Sequence, residues 1–252
     1  MLSQCAFCPE IAELTGEHIW SDWIGKELGI KKFLITQTFA DGTHRSYPKK
    51  KLNVKARVVC GDCNSGWMSR LESATKPFLY DMILHGSATR LDLKHIKLLA
   101  AVSFKNSVVA DYMHDNSPRF FSFAARQRFA RTLELSDGIQ MWLSVMNRQR
   151  GLFQSGDLKT KPGDKSGFEI NLFTYGVAHL VIQVTTSRWT KKAHRRHFPP
   201  PRLTQNPIWD DVSIPFWPTS GDQLIGWPPP RNLGDKAAEA FADRWMSLSR
   251  LE

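Results

Sequence analysis

The spacing of apolar positions changes period several times along the chain, and each change marks a new element. Between Ile19 and Gly29 the residues Ile19, Trp23, Ile24 and Leu28 recur at helical spacing, with Gly29 as a natural stop. Residues 33–39 (FLITQTF) read as a strand, followed by a turn at Asp41-Gly42. Residues 52–59 alternate Leu52, Val54, Ala56 and Val58, a strand that delivers the chain to Cys60. Beyond Cys63, the positions Trp67, Leu71, Phe78 and Met82 predict a helical stretch that Pro77 should kink or divide. Residues 93–113 give the best helix in the chain, with a broad apolar face and few breakers. A shorter helix is expected around 122–132.

From about 139 the period shortens. Residues 139–153 resemble a strand, a turn and a second strand, and 167–186 read as two strands joined near Tyr175-Gly176. Residues 198–230 are rich in proline (FPPPRL, IPFWP, GWPPP) and are expected to lack regular structure, with Trp209, Trp217 and Trp227 packing this extended chain onto the body. Residues 235–248 close as an amphipathic helix with Ala238, Phe241 and Trp245 on one side. The pattern predicts an α+β chain in two parts. The first is a small module over 1–75. The second, 76–252, holds a helical segment and a small antiparallel sheet with a Pro/Trp-rich C-terminal extension.

Composition narrows the class. Hydrophobic residues make up 42% and charged residues 23% of the 252, the balance of a folded globular protein. No run of eighteen or more uncharged apolar residues occurs, so a membrane-spanning helix is not expected. The N-terminal stretch lacks the basic and apolar regions of a secretory signal, which points to the cytoplasm. Lys and Arg number 34 against 24 Asp and Glu, a formal charge of +10, and the excess is local. Residues 45–57 (RSYPKKKLNVKAR) hold six basic residues and no acidic one, and 188–198 (RWTKKAHRRHF) add a second cluster with His194 and His197. Either run suits phosphates or a solvated loop.

The four cysteines, Cys5, Cys8, Cys60 and Cys63, fall in two Cys-x-x-Cys pairs. A redox motif needs one such pair and leaves the second unexplained. Tetrahedral zinc needs both, brought together as four thiolates, so a structural Zn2+ is expected. That clamp would gather Glu17, His18 and Asn64, which suit phosphodiester hydrolysis. Histidine titrates near neutrality at about 6.5 and can activate water. Carboxylate and amide oxygens suit Mg2+ or Mn2+. Each has a plainer reading: His18 as a hydrogen-bonding residue of the knuckle, Glu17 as a solvated carboxylate, Asn64 as a helix N-cap. Trp67 and Met68 read as core, and Trp20 and Trp23 as packing against the knuckle.

The order Cys-x-x-Cys, Glu17-His18-Ile19, Cys-x-x-Cys-Asn resembles the HNH endonuclease superfamily in its zinc-stapled, ββα-metal (His-Me finger-like) form. It is most similar to bacterial HNH-like proteins with the stretch Cys60-Gly61-Asp62-Cys63-Asn64-Ser65-Gly66-Trp67-Met68-Ser69-Arg70-Leu71-Glu72. The resemblance covers about seventy residues. It implies His18 as general base and Glu17 and Asn64 as ligands of a catalytic divalent ion. Where that family places an asparagine that orients the base, this chain has Lys55, with Asn53 nearby. Glu17 stands where aspartate is commoner, and Met68 where some members offer a histidine. The implied function is metal-dependent hydrolysis of nucleic acid, DNA rather than RNA. The alternative is a non-catalytic, zinc-dependent nucleic-acid-binding or protein-interaction module.

Overall fold

The computed structural model describes residues 2–29, 33–38, 44–49, 52–113, 119–146, 151–159, 167–219, 221 and 223–245. Strands β1 (Leu2–Gln4) and β2 (Ile11–Glu13) pair antiparallel around the loop that carries Cys5 and Cys8. β3 (Thr15–His18) leads into α1 (Asp22–Leu28), which ends where Gly29 takes the left-handed conformation, φ 58°. β4 (Phe33–Thr38) and β5 (His44–Lys49) form a hairpin. Its expected Asp41-Gly42 turn lies outside the described residues, as do 50–51 of the first basic run. β6 (Lys55–Val59) then returns to pair with β3.

From Gly61 the backbone is helical to Leu84, through α2 (Gly61–Cys63), a wider turn over Asn64–Met68 and α3 (Ser69–Leu84). Pro77 does not divide α3, contrary to expectation. Both Pro77 and Ser73, whose carbonyl loses its amide partner, face solvent, where water can satisfy it. The irregular point is Gly66, with non-helical φ −85° and ψ −108°. Next come β7 (Thr89–Leu91), α4 (Leu93–Asp111) and α5 (Phe123–Thr132). Asp92 and Ser122 start these two helices by accepting the amides of His95 and Ala125.

The remaining elements are β8 (Ile139–Val145), β9 (Gly151–Lys159), β10 (Phe168–Val177), β11 (Leu180–Trp189), α6 (Lys192–His197), β12 (Ser213–Trp217), β13 (Ile225–Trp227) and α7 (Asp235–Asp243). Five of the strands form one antiparallel sheet in the order β12-β8-β11-β10-β9. The turn between β10 and β11 falls at Ala178-His179, three residues beyond the expected place, with Ala178 at φ 51°. Gly176 stays inside the strand because the sheet closes over it. A Cβ there would lie 2.9 Å from the Leu180 carbonyl oxygen and 3.0 Å from Val181. The proline-rich region is also more regular than its composition suggests. β12 holds Pro215 but lies at the sheet edge, where a missing donor costs no ladder bond, and β13 pairs with β7.

Both faces of the sheet are covered, so its central strands are buried along most of their length, polar residues such as Asn171, Thr174 and Gln183 included. On one face Phe173, Ile182 and Leu143 join a cluster that runs without interruption from Cys5 and Phe7 through α4 to Trp227. On the other, Trp142, Leu172 and Val181 pack under α7 against Phe241 and Trp245. The last part of the expected C-terminal helix, 246–248, lies outside the described residues. α4 is the hub between the N-terminal elements and the sheet: Ser103 shares a hydrogen bond with Tyr175 at 3.0 Å, and Asn106 donates to the Ile19 carbonyl at 2.9 Å. No helix among the described residues is long and apolar enough to cross a membrane.

Candidate metal centre

The loop between β1 and β2 and the start of α2 bring the two cysteine pairs together. The four sulfurs lie within 4.8 Å of one another, and Cys5, Cys60 and Cys63 are buried. Cys8 and Cys60 sulfurs are 3.6 Å apart, too far for a disulfide, whose bond is about 2.05 Å. Four thiolates about 2.3 Å from one ion would stand about 3.8 Å apart, so this spacing fits a tetrahedral metal. Backbone amides support the sulfurs. Cys60 N and Phe7 N donate to Cys5 Sγ at 3.3 and 3.5 Å, and Cys63 N donates to Cys60 Sγ at 3.5 Å. Burial raises the Cys5 thiol, but the Phe7 and Cys60 amides outweigh it and leave Cys5 below its ordinary value. Burial pushes Cys8 up to about 11 and raises Cys63 as well. The amide cradle thus favours thiolate most at Cys5, and a bound cation would favour it at all four.

The knuckle is tied to its surroundings on two sides. Ala6 N donates to the Val58 carbonyl at 2.8 Å, and Arg126 of α5 donates to the Ala6 carbonyl at 2.7 Å. Phe7 and Phe129 both meet Trp67 edge to face, with centroids at 5.4 and 5.7 Å, and Met68 is fully buried beside them. Trp20 and Trp23 pack elsewhere: Trp20 leans on Phe153 of β9, and Trp23 stacks on Tyr80.

The pairing of β3 with β6 sets His18 opposite Lys55, Glu17 opposite Ala56 and Gly16 opposite Arg57. Neighbours on a strand point to opposite faces. His18, Lys55 and Arg57 therefore share one face, where His18 is half-buried and both basic residues are exposed. Gly16 makes room on that face, since a Cβ there would stand 2.9 Å from Lys55 Cδ. Asn64 reaches the same strand, its Nδ2 donating to Thr15 Oγ1 at 2.9 Å and to the Gly16 carbonyl at 3.5 Å. Asn53 is exposed just before β6.

Glu17 points the other way, into the core, and is 4% exposed. Its Oε1 accepts a hydrogen bond from Lys105 Nζ, which also donates to Glu72 Oε1 at 3.1 Å. Burial alone would lower the Lys105 ammonium, but the two carboxylates outweigh it and hold it above its ordinary value. Lys105 was not a candidate in the sequence. The signal it did carry is a lone charge between turns of Ala101, Val102, Val108 and Val109 in an apolar helix. Such a charge needs a buried partner. Glu72, the last residue of the stretch after Cys60, is half of that partner.

The chain matches no family model, no curated protein and no solved structure.

Proposed function

We propose that this chain is a zinc-stapled nucleic-acid-binding protein, with DNA as its partner rather than RNA. Cys5, Cys8, Cys60 and Cys63 hold the zinc, which clamps the β1–β2 loop to the start of α2 and so fixes β3 against β6. The observation that carries the reading is the shared outward face of His18, Lys55 and Arg57, with Asn64 at its edge. Two cations, an imidazole and an amide side by side suit phosphate oxygens, and the +10 charge favours a polyanion. Glu17 favours binding over hydrolysis. Its carboxylate faces away from His18 and is neutralised by Lys105, an arrangement that does not fit a divalent ion shared with Asn64 on the outer face.

The second reading is metal-dependent phosphodiester hydrolysis, with His18 as base and Glu17, Asn64 and Asn53 around a Mg2+ or Mn2+ ion. It is favoured by the contact of Asn64 with the strand that carries Glu17 and His18. One set of assays separates the two. Zinc-loaded protein is expected to bind plasmid DNA in a salt-sensitive way and to leave it intact with Mg2+ or Mn2+. Removing two phosphate contacts in a Lys55→Ala/Arg57→Ala variant should flatten the dependence of log affinity on log salt by about 1.8. Metal-dependent cleavage that disappears in His18→Ala would overturn the binding reading in favour of hydrolysis.

A further inference from the structure

The second basic run folds back over an aromatic cleft between the end of β11 and the start of α5. β11 ends at Trp189, the chain turns through α6, and it returns past Phe198 to Pro200. Phe120, Arg188, Trp189, Arg195 and Phe198 line a cleft of about 360 Å³, with Thr186 among its buried residues. Phe198 is 57% exposed, a large aromatic ring left open to solvent beside exposed Arg195, Arg196 and His197. Trp189 is held in place by its Nε1, which donates to the Pro199 carbonyl at 2.8 Å.

The floor is prearranged. Arg188 lies 4.2 Å over the Phe120 ring and donates to Glu169 through Nε and Nη2, at 2.9 and 2.6 Å, so Glu169 neutralises it. Asp137 is the acidic residue at the rim. Arg195 makes its hydrogen bond to the neutral Thr190 carbonyl, at 2.9 Å, and keeps its charge at the surface. Thr186 of β11 is buried beside the cleft, 6% exposed.

We propose that this cleft binds single-stranded nucleic acid, with a base stacked on Phe198 and Trp189 and the flanking phosphates held by Arg195 and Arg196. The proposal rests on the nucleic-acid reading above and specifies an unpaired strand as the partner. Stacking on a side chain needs a free base face, which duplex DNA keeps inside its stack and a single strand offers. Aromatic rings interleaved with basic side chains are the combination that strand recognition uses.

The test uses the zinc-loaded 252-residue chain and fluorescence anisotropy with a labelled oligothymidine and a duplex of equal length, across a salt series. The single strand should bind more tightly than the duplex. Phe198→Ala, and Phe198→Leu with its apolar bulk kept, should each weaken single-strand binding about tenfold. Arg195→Ala/Arg196→Ala should reduce the salt slope by about 1.4. Unchanged affinity in Phe198→Leu, or equal binding of duplex and single strand, overturns the proposal. Binding lost in Lys55→Ala/Arg57→Ala but untouched by the Phe198 variants sinks this cleft and leaves the module reading standing. No binding of either probe sinks both. Equal metal content and circular dichroism across variants separate lost contacts from lost fold.

Discussion

Asp111, at the end of α4, illustrates how burial sets the chemistry of one side chain. It is 3% exposed, and its Oδ2 accepts a long hydrogen bond, 3.4 Å, from the Phe121 amide. Burial, with Asp157 nearby, pushes its carboxyl up to about 6. The folded value exceeds the unfolded one, so its contribution to stability is fully present below the unfolded value near 4. It is lost as pH rises through 6. Over that window the native state loses about 3 kcal/mol relative to a protein without the charge. Asp111→Asn keeps the shape and the acceptor, so it should gain on the wild type by about that amount between pH 4 and pH 7. Urea unfolding of both proteins at the two pH values measures it, since any effect of acid on the cysteines is common to both. A difference that stays constant with pH would contradict the assignment.

Among elements, the decisive contact is the one that joins β3, α3 and α4 through Glu17, Glu72 and Lys105. An ammonium buried among apolar neighbours is stable only while both carboxylates face it. Lys105→Met leaves Glu17 charged, buried and without its partner, and is expected to cost about 3–5 kcal/mol. Adding Glu17→Gln to that variant removes the stranded charge, so the double variant should recover a large part of the loss. Thermal unfolding of these two variants and of Glu17→Gln alone, against the wild type, closes the cycle. If Lys105→Met and the double variant melt alike, the ion pair is not what holds these elements together. The same geometry explains why Glu17 and His18, adjacent in sequence, do different work: strand pleating sends one inward to Lys105 and the other outward to Lys55.

At the scale of the whole molecule, the cysteine cluster and the sheet belong to one continuous core. Cys5, Phe7 and Met68 share a cluster with Leu99 and Val108 of α4 and with Phe173 and Ile182 of the sheet. Elemental analysis should therefore return about one zinc per chain, as four thiolates around one ion require. Stripping it with a chelator should lower the stability of the entire fold, not of the N-terminal residues alone. Far-ultraviolet circular dichroism and tryptophan fluorescence are then expected to fall together in a single transition at reduced temperature. A chelated protein whose sheet melts as before, after an early separate loss of the N-terminal signal, would contradict that coupling.

Much of the local order was legible along the chain. The period of 93–113 gave α4 to within two residues, and the spacing of two cysteine pairs anticipated their convergence. These features depend on neighbours a few residues apart, which the sequence states directly. It could not say that Pro77 would face solvent, that Pro215 would lie on an edge strand, or that Gly176 would sit inside β10 against Leu180 and Val181 instead of in the turn. Nor could it orient Glu17: alternation along β3 separates Glu17 from His18, but only the packing of α4 decides which of them is inside. Lys105 lies 88 residues from Glu17, and Phe120 lies 68 residues from Arg188. Burial and charge pairing across such distances arise when elements dock, so the partners of a buried ion and the lining of a cleft were settled by the tertiary structure alone.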